Sequence, residues 1–177
     1  MQYQSPSEEK FLTLLSKPNK TKEEIDEMLI ASEKFSKELN EETYYLLEEI
    51  KNNGLIINEI YDLVNTNESY PEPIAPLREH LSANYHIKNK EGIIRALGVK
   101  ESGIKEIKAL IDEYDKFQTD NYKFCIALTI HNILKYYKVS ELRKMNNDNN
   151  LIVNEIITNK KLSFIKFDKF LRNLLKL

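Results

Sequence analysis

The sequence predicts an all-α domain built from stacked antiparallel helix pairs, and three observations support this fold class. Apolar residues recur at intervals of three and four along most of the 177 residues, which is the period of amphipathic helices. Alternating runs of β-branched residues long enough to form a strand are not found. In the second half of the chain, two helix pairs begin about 30 residues apart, close to the period of two-helix solenoid repeats.

The N-terminal part of the chain is predicted to contain four helices with recognisable ends. Residues 5–8 and 21–24 each have the pattern of a capping box, the first with proline at the first helical position. Asn40 is predicted to cap the third helix, and Gly54 to end it, because glycine readily adopts the left-handed conformation. A short fourth helix is predicted around residues 58–64.

From residue 70 onward the pattern becomes repetitive. The segment 70–81 predicts a helix in which Pro76 either causes a kink or moves the helix start to a later residue. Its partner is predicted at 88–98, and a second pair follows at 104–117 and 122–137, the last apolar on most of its circumference and therefore interior. The helix predicted at 104–117 has an apolar stripe that consists of Ile104, Ile107, Leu110, Ile111, Tyr114 and Phe117.

The final stretch predicts two short helices, at 139–145 and 151–157, and an amphipathic terminal helix at 162–175. The terminal helix has an apolar face of Phe164, Phe167, Leu171 and Leu174, and a polar face of Lys166, Lys169, Asn173 and Lys176. We therefore expect a single domain with N-terminal helices at 1–69, repeats at 70–160 and a C-terminal capping helix at 161–177.

The segment 90–98, Lys-Glu-Gly-Ile-Ile-Arg-Ala-Leu-Gly, resembles the second helix of a HEAT repeat, with an arginine before a small residue and a closing Leu-Gly. Ile74, Leu77 and Leu81 fit the first helix of such a repeat. Residues 70–160 are similar to bacterial HEAT-like, armadillo-like proteins, and this resemblance implies a right-handed α-α superhelix. The later repeat lacks the Arg-Ala-Leu-Gly signature, and the N-terminal helices are assigned to the same array by helicity alone.

Composition limits the chemistry that the chain can perform. Cys125 is the only cysteine and lies in an apolar run, so we expect no intramolecular disulfide, no multi-cysteine metal site and an unreactive thiol. No segment approaches the roughly 18 apolar residues that span a bilayer, and the N-terminus lacks a basic region followed by an apolar one. These features predict a cytoplasmic protein without a membrane span.

Histidines and motifs do not indicate catalysis. His80, His86 and His131 are the only histidines, and none stands in a His-Glu-x-x-His pattern. We expect loop hydrogen bonds or a helix C-terminal cation at His80 and His86, and a partly buried, hydrogen-bonded side chain at His131. Glycine-rich phosphate loops and the Gly-x-Ser-x-Gly elbow are missing, and so are the His-Glu dipeptides of HEAT-like diiron hydroxylases. The prediction is a protein that is not an enzyme and has no cofactor.

Charge is unevenly distributed along the sequence. Residues 1–70 contain seven Lys or Arg against fifteen Asp or Glu, and residues 71–177 contain nineteen against thirteen. Such a distribution can steer a charged partner, although solvated helix faces produce it too. Our first hypothesis is a scaffold that binds another protein or peptide through the solenoid surface, with candidate contacts at Lys88, Lys90, Arg95, Asn121 and Lys135. Arg95 alternatively pairs with Glu91 on its own helix.

The alternative hypothesis is nucleic-acid binding by the basic second half, as in HEAT-like DNA glycosylases, although the chain has no tryptophan. Its candidate phosphate contacts are Lys160, Lys161, Lys166, Lys169 and Arg172. The same basic residues also fit a helix that lies on a membrane surface. The sequence leaves the oligomeric state open.

Overall fold

A computed structural model describes residues 5–116 and 119–175, and within these residues the chain forms eleven helices and no strand. The all-α prediction is therefore confirmed. Phe117 and Lys176 lie outside the described residues. The helices are α1 (Pro6–Leu15), α2 (Lys22–Glu42), α3 (Tyr44–Asn52), α4 (Ile60–Asn65), α5 (Ile74–His80), α6 (Ile87–Ala96), α7 (Ile104–Glu113), α8 (Asp120–Lys135), α9 (Val139–Met145), α10 (Leu151–Thr158) and α11 (Phe164–Leu174).

The helices contact one another in two series. One series runs from α4 to α6, from α6 to α8 and from α8 to α11. In the other, α3 packs against α5 and α7 packs against α10, while an ion pair between Arg78 and Glu106 links α5 to α7. Cross-contacts between α5 and α6, and between α7 and α8, join the two series. At the N-terminus, α1 and α2 form a hairpin, and α2 also contacts α3.

Helix α8 lies at the centre of the hydrophobic core. Nine of its sixteen residues are buried, which agrees with the predicted interior helix. The helix begins at the N-cap Thr119, whose side chain accepts a hydrogen bond from the backbone N–H of Tyr122. Its apolar circumference lets it contact α6, α7 and α11 at once. The core therefore extends from α6 through α8 to α11.

One predicted helix start, the one at Asn40, differs from the structure, and of the two outcomes predicted for Pro76 the later start is observed. Asn40 is not a cap, because α2 continues through it to Glu42 and α3 follows directly at Tyr44. The hydroxyl of Thr43 donates to the carbonyl of Leu39 at 3.2 Å, so the junction needs no loop in which Asn40 could act as a cap. Pro76 moves the start of α5 to Ile74. At this position its missing N–H removes no helical hydrogen bond, which explains why no kink is needed.

The two predicted capping boxes have different outcomes. Thr21 and Glu24 satisfy each other's backbone N–H groups at 3.2 and 3.0 Å, as predicted. Ser5 accepts from the backbone N–H of Glu8 at 3.1 Å, but the Glu8 carboxylate instead accepts from His86 Nε2 at 3.0 Å. A long-range contact thus takes the place of the second half of the local motif.

The end of α3 agrees with the prediction. Gly54 has a φ of 104°, and the backbone N–H groups of Asn53 and Gly54 bond to the last carbonyls of the helix. Among the described residues, no helix is both long enough and apolar enough to cross a lipid bilayer.

Candidate functional site

The candidate contacts Lys88 and Lys90 both contact other parts of the chain, Lys88 from a half-buried position and Lys90 from a buried one. The ammonium group of Lys88 lies 4.6 Å from the centre of the Phe35 ring, so this lysine connects α6 to the hairpin. Lys90 is only 2% exposed, and its Nζ atom lies 2.5 Å from Glu113 Oε1. Burial lowers the pKa of Lys90, and the Glu113 carboxylate opposes that shift. Lys90 therefore does not belong to a partner-binding surface, because a buried ion pair holds it in the core.

The Lys90–Glu113 pair is part of a larger buried network. The Tyr122 hydroxyl donates to Glu113 Oε1 at 3.2 Å, and Lys116 lies 2.6 Å from Glu113 Oε2. Lys90 also donates to the carbonyl of Leu81, which follows α5. The network thereby ties α6 to α7, α8 and the end of α5.

Arg95 lines a cleft and Lys135 contacts a residue that lines it, whereas Asn121 lies elsewhere. The Lys135 ammonium donates to Asn132 Oδ1 at 3.2 Å, and Asn132 lines the cleft together with Arg95. Asn121 is exposed at the other end of α8, roughly 21 Å from Lys135 along the helix axis. The predicted i,i+4 ion pair between Glu91 and Arg95 does not form within residues 5–116 and 119–175. Arg95 lies near Cys125 instead.

Cys125 is buried, as its apolar run predicts. Burial raises the pKa of the thiol to about 11, and the positive charge of Arg95 only partly opposes this effect. At neutral pH the thiol is protonated, so it is not a nucleophile.

The candidate phosphate contacts divide into two groups. Lys160 donates to the carbonyl of Tyr137, and Arg172 forms ion pairs with Asp120 at 2.8 Å and Asp168 at 3.0 Å. Because intramolecular acceptors occupy these two cations, neither is available in the way that the sequence predicted. The remaining candidates, Lys161, Lys166 and Lys169, have exposed side chains.

Two of the histidines form hydrogen bonds at the ends of helices. His80 lies within 3.0 Å of Glu49 Oε2 and within 2.5 Å of the Tyr85 hydroxyl. His86 caps α6, because its Nδ1 atom accepts from the backbone N–H of Lys88 at 3.2 Å. In the part of the chain that the structure describes, no group of three His, Cys, Asp or Glu side chains is arranged to hold a metal ion.

His131 is buried and hydrogen-bonded, which confirms the sequence prediction. It is 6% exposed, donates from Nε2 to the carbonyl of Leu162 at 3.1 Å and lies between the rings of Phe164 and Phe167. Its Nδ1 atom has no hydrogen-bond partner among the described residues. Burial lowers the pKa of this imidazole. The ring therefore packs as a neutral side chain.

The sequence prediction missed an exposed apolar surface on the N-terminal hairpin. Leu12 and Leu15 of α1 are 37 and 50% exposed, and Ile25 and Leu29 of α2 are 42 and 54% exposed. We call these four residues the tip face, because they lie next to the loop that joins the two helices.

The tip face continues the side of the hairpin that docks on α6. On α1, Leu12 comes four residues after Glu8, which contacts His86, so both lie on the same side of the helix. On α2, the Phe35 ring contacts the His86 ring, and the backbone carbonyl of Leu39 accepts a hydrogen bond from Asn89. Ile25 lies fourteen residues before Leu39, almost four full turns. The same side is therefore covered by α6 near Glu8 and Leu39 and is uncovered near the tip.

A polar groove extends from the tip face along α2 towards α3. Ser32 and Ser36 follow Leu29 at helical spacing, and the groove then passes Asn40 and reaches Tyr44 and Leu47. Glu33, Lys37 and Glu41 line the same groove. Ser32, Ser36 and Asn40 therefore follow Ile25 and Leu29 along the same side of α2.

A mismatch in helix length is the signal that could have revealed the tip face. With 21 residues, α2 is about 31 Å long, whereas α1 with 10 residues is about 15 Å long. An apolar stripe of residues at helical spacing runs along α2 and consists of Ile25, Met28, Leu29, Phe35 and Leu39. A partner helix of half the length cannot cover the whole stripe.

Comparison of the chain with known proteins finds no matching family model, no matching curated protein and no matching solved structure.

Proposed function

We propose that this protein is a non-enzymatic scaffold with a HEAT-like, right-handed stack of helix pairs, and that it binds an amphipathic helix of a partner protein on the tip face. One observation carries the proposal: Leu12, Leu15, Ile25 and Leu29 stay exposed on the side of the hairpin that elsewhere forms a packed interface. An apolar surface that continues an interface is suited to a further helix.

The helix contacts support the stacked arrangement. Consecutive helices pair as α5 with α6 and α7 with α8, while α6 also packs on α8 and α8 on α11. Each helix pair in a solenoid buries the face of its neighbour, and this contact pattern has that property. The starts of α5 and α7, Ile74 and Ile104, lie 30 residues apart, which fits a two-helix repeat.

Charge favours a partner helix with basic flanks. Residues 5–42 contain six lysines against ten carboxylates. Asp26 and Glu33 are exposed on α2 and lie one and four residues from Ile25 and Leu29 respectively. A matching partner helix would carry Leu- or Ile-like side chains at intervals of three and four, which fit the apolar tip face. Lys or Arg residues beside them would match the acidic residues around that face. Full burial of one aliphatic side chain contributes about 1.5 to 3 kcal/mol, so four partly exposed ones can anchor a helix.

The buried polar groups favour binding over catalysis. Lys90, Glu113 and Tyr122 hold one another, and His131 lies between two phenylalanine rings, so these titratable groups do not converge on an open cavity. The nucleic-acid alternative rests on Lys161, Lys166 and Lys169, because Lys160 and Arg172 have intramolecular acceptors.

A matched pair of substitutions on α2 tests the proposal. Leu29→Glu places a charge on the tip face, whereas Ile30→Glu changes an adjacent side chain that is 67% exposed and points about 100° further round the helix. The wild-type protein and both variants are used to capture proteins from a nuclease-treated lysate of the source organism, and bound proteins are quantified by mass spectrometry.

We expect one partner protein to be retained by the wild type and by Ile30→Glu, and to fall by about tenfold or more with Leu29→Glu. Equal retention by Leu29→Glu would show that the tip face is not the binding surface. Capture of nucleic acid that disappears with nuclease and with moderate salt would instead favour the alternative function. Thermal unfolding of both variants confirms that they remain folded.

A further inference from the structure

A second candidate site lies in the body of the protein, away from the tip face, between α4, α6 and α8. It is a cleft of about 240 Å³, which we call the Arg95 cleft. Its apolar walls are formed by Leu63, Val64, Val99 and Leu128. Its polar lining consists of Thr66, Tyr70, Arg95, Thr129 and Asn132, and Gly98 completes it. The site therefore combines one cation, several hydrogen-bonding groups and an apolar wall.

Arg95 carries the positive charge of the cleft. Its side chain is exposed, and within residues 5–116 and 119–175 it forms no ion pair. Arg78 and Arg172, by contrast, are bound by carboxylates at 2.6 and 2.8 Å. A guanidinium group presents its N–H donors in a planar fork that matches the two oxygens of a carboxylate. The unpaired arginine is therefore suited to an anion supplied from outside.

Asn132 is oriented by its neighbour on α8. The Lys135 ammonium donates to Asn132 Oδ1 at 3.2 Å, so the Nδ2 group of Asn132 remains to donate elsewhere. Nδ2 lies 3.8 Å from the position that a Cβ atom on Gly98 would take. The absence of a side chain at Gly98 thus keeps space open beside the amide, and the Lys135 ammonium places a second positive charge 3.2 Å from Asn132 Oδ1.

Thr129 adds a polar group deep in the cleft. It is 2% exposed and lines the cleft, and its methyl carbon lies 3.8 Å from the position that a Cβ atom on Gly98 would take. The Tyr70 hydroxyl already donates to the carbonyl of Ala96 at 2.9 Å. A hydroxyl at this depth can serve a ligand that enters the cleft.

From these contacts we infer that the Arg95 cleft binds a carboxylate joined to a short apolar group. The carboxylate accepts hydrogen bonds from Arg95 and Asn132, and the apolar group contacts Leu63, Val99 and Leu128. The cleft is smaller than the 300 to 1,000 Å³ typical of drug-sized ligands, so its volume suits a ligand of a few carbon atoms. A free short-chain acid and the C-terminal residue of a peptide share this chemistry.

NMR titration of the full-length, ¹⁵N-labelled protein tests the inference. The probes are pentanoate, pentanamide, a dipeptide that ends in valine with a free carboxylate, the same dipeptide with an amidated C-terminus, and inorganic phosphate. We expect pentanoate at millimolar concentrations to shift the backbone amides of Gly98, Thr129 and Asn132. Pentanamide and the amidated dipeptide should leave them unchanged, because neither carries a negative charge.

Two variants connect the shifts to the arginine. Arg95→Gln should weaken pentanoate binding by about tenfold or more, because it removes a charge-assisted pair of hydrogen bonds. Arg143→Gln changes an exposed arginine on α9 and should leave the affinity unchanged. Binding of the free dipeptide at the same amides would assign the site to peptide C-termini, and binding of pentanoate alone would assign it to free acids.

Three results would overturn the inference: no shift at these amides with either carboxylate, equal affinity in Arg95→Gln, or tighter binding of phosphate than of pentanoate. The spectrum of Arg95→Gln without ligand should otherwise superimpose on that of the wild type, which shows that the variant is folded. The result of this titration does not depend on whether the tip face binds a partner, because no residue of the hairpin lines the Arg95 cleft.

Discussion

Two buried tyrosines differ in whether the hydroxyl group has a hydrogen-bond partner. Tyr70 and Tyr114 are 4 and 1% exposed, and burial raises the pKa of each to about 12. The Tyr70 hydroxyl donates to the carbonyl of Ala96 at 2.9 Å, whereas the Tyr114 hydroxyl has no hydrogen-bond partner among the described residues. A buried hydroxyl without a partner keeps its desolvation cost and gains nothing in return.

Phenylalanine substitutions should therefore have different effects at these two positions. Tyr70→Phe should lower the free energy of unfolding by about 1 kcal/mol, because it leaves the carbonyl of Ala96 without its donor. Tyr114→Phe should leave the free energy of unfolding unchanged or raise it by up to about 1 kcal/mol. Urea unfolding at pH 7 measures both values. A larger loss for Tyr114→Phe than for Tyr70→Phe would contradict the assignment of hydrogen bonds.

The imidazole of His131 should make stability depend on pH in mildly acidic solution. Burial lowers its pKa in the folded protein below the value of 6.5 for an exposed histidine. Because the folded chain binds the proton less readily than the unfolded chain, the stabilisation is present above pH 6.5 and is lost as the pH falls below it. We expect the difference in unfolding free energy between the wild type and His131→Phe to shift in favour of the variant from pH 7 to pH 5. Parallel pH profiles of the two proteins would disprove this coupling.

At the scale of helices, the buried charges of α6 and α7 form a joint, and we expect replacement of one charge alone to destabilise the fold. Glu113→Gln removes the carboxylate that faces Lys90, so an ammonium group that is 3% exposed loses this buried ion pair. We expect a loss of about 3 to 5 kcal/mol in the free energy of unfolding.

Lys116→Gln provides the control for Glu113→Gln, because Lys116 pairs with the same carboxylate but its side chain is 46% exposed. Its loss should be below about 1 kcal/mol. A double variant, Lys90→Met with Glu113→Leu, should recover much of the loss, because it leaves no isolated charge in the core. Chemical unfolding of the three variants measures these values, and equal losses for Glu113→Gln and Lys116→Gln would argue against a buried joint.

Helices were predictable from sequence wherever local patterns determine their ends. The limits of α9 match the predicted residues 139–145, because the polar residues that follow it stop the apolar period there. Asn40 failed as a cap, because Thr43 allows one helix to follow another without a loop. The local pattern contains no information about Glu8, since the partner of its carboxylate is 78 residues away.

Candidate site residues were harder to predict. A charged side chain can bind an external partner only if no other residue of the folded chain already binds it. Lys90 and Arg95 lie on one helix, yet the first is buried against Glu113 and the second is exposed at a cleft. The sequence distinguishes them only through helical phase. It cannot identify Glu113, which lies 23 residues further along the chain.

At the scale of the whole molecule, the α1–α2 hairpin contacts the remaining helices through the start of α6 and through α3, which follows α2 directly. Asn89 donates to the carbonyl of Leu39 at 2.9 Å and to Glu42 at 2.6 Å, and the backbone N–H of His86 donates to Glu42 at 2.8 Å. Because Leu39, Glu42, His86 and Asn89 lie outside the core around α8, we expect the hairpin to open while that core stays intact.

Hydrogen exchange can detect this opening. Asn89→Ala should increase amide exchange in α1 and α2 by about tenfold, which corresponds to roughly 1.4 kcal/mol of lost anchoring, and should leave exchange in α8 almost unchanged. Asn121→Ala, an exposed position on α8, is the control and should change neither region. Faster exchange across the whole chain in Asn89→Ala would indicate that the hairpin and the core unfold as one unit.

The anchoring contacts of the hairpin also have a consequence for synthesis on the ribosome. The residues of α1 and α2 are translated before the start of α6, because His86 lies 44 residues after Glu42 and 78 residues after Glu8. At about 5 to 20 residues per second, His86 is translated several seconds or more after Glu8. During that interval the nascent hairpin exposes Phe35 and Leu39 as well as the tip face. Its first two helices must therefore be held together by their own contacts and by the Thr21 capping box until the rest of the chain arrives.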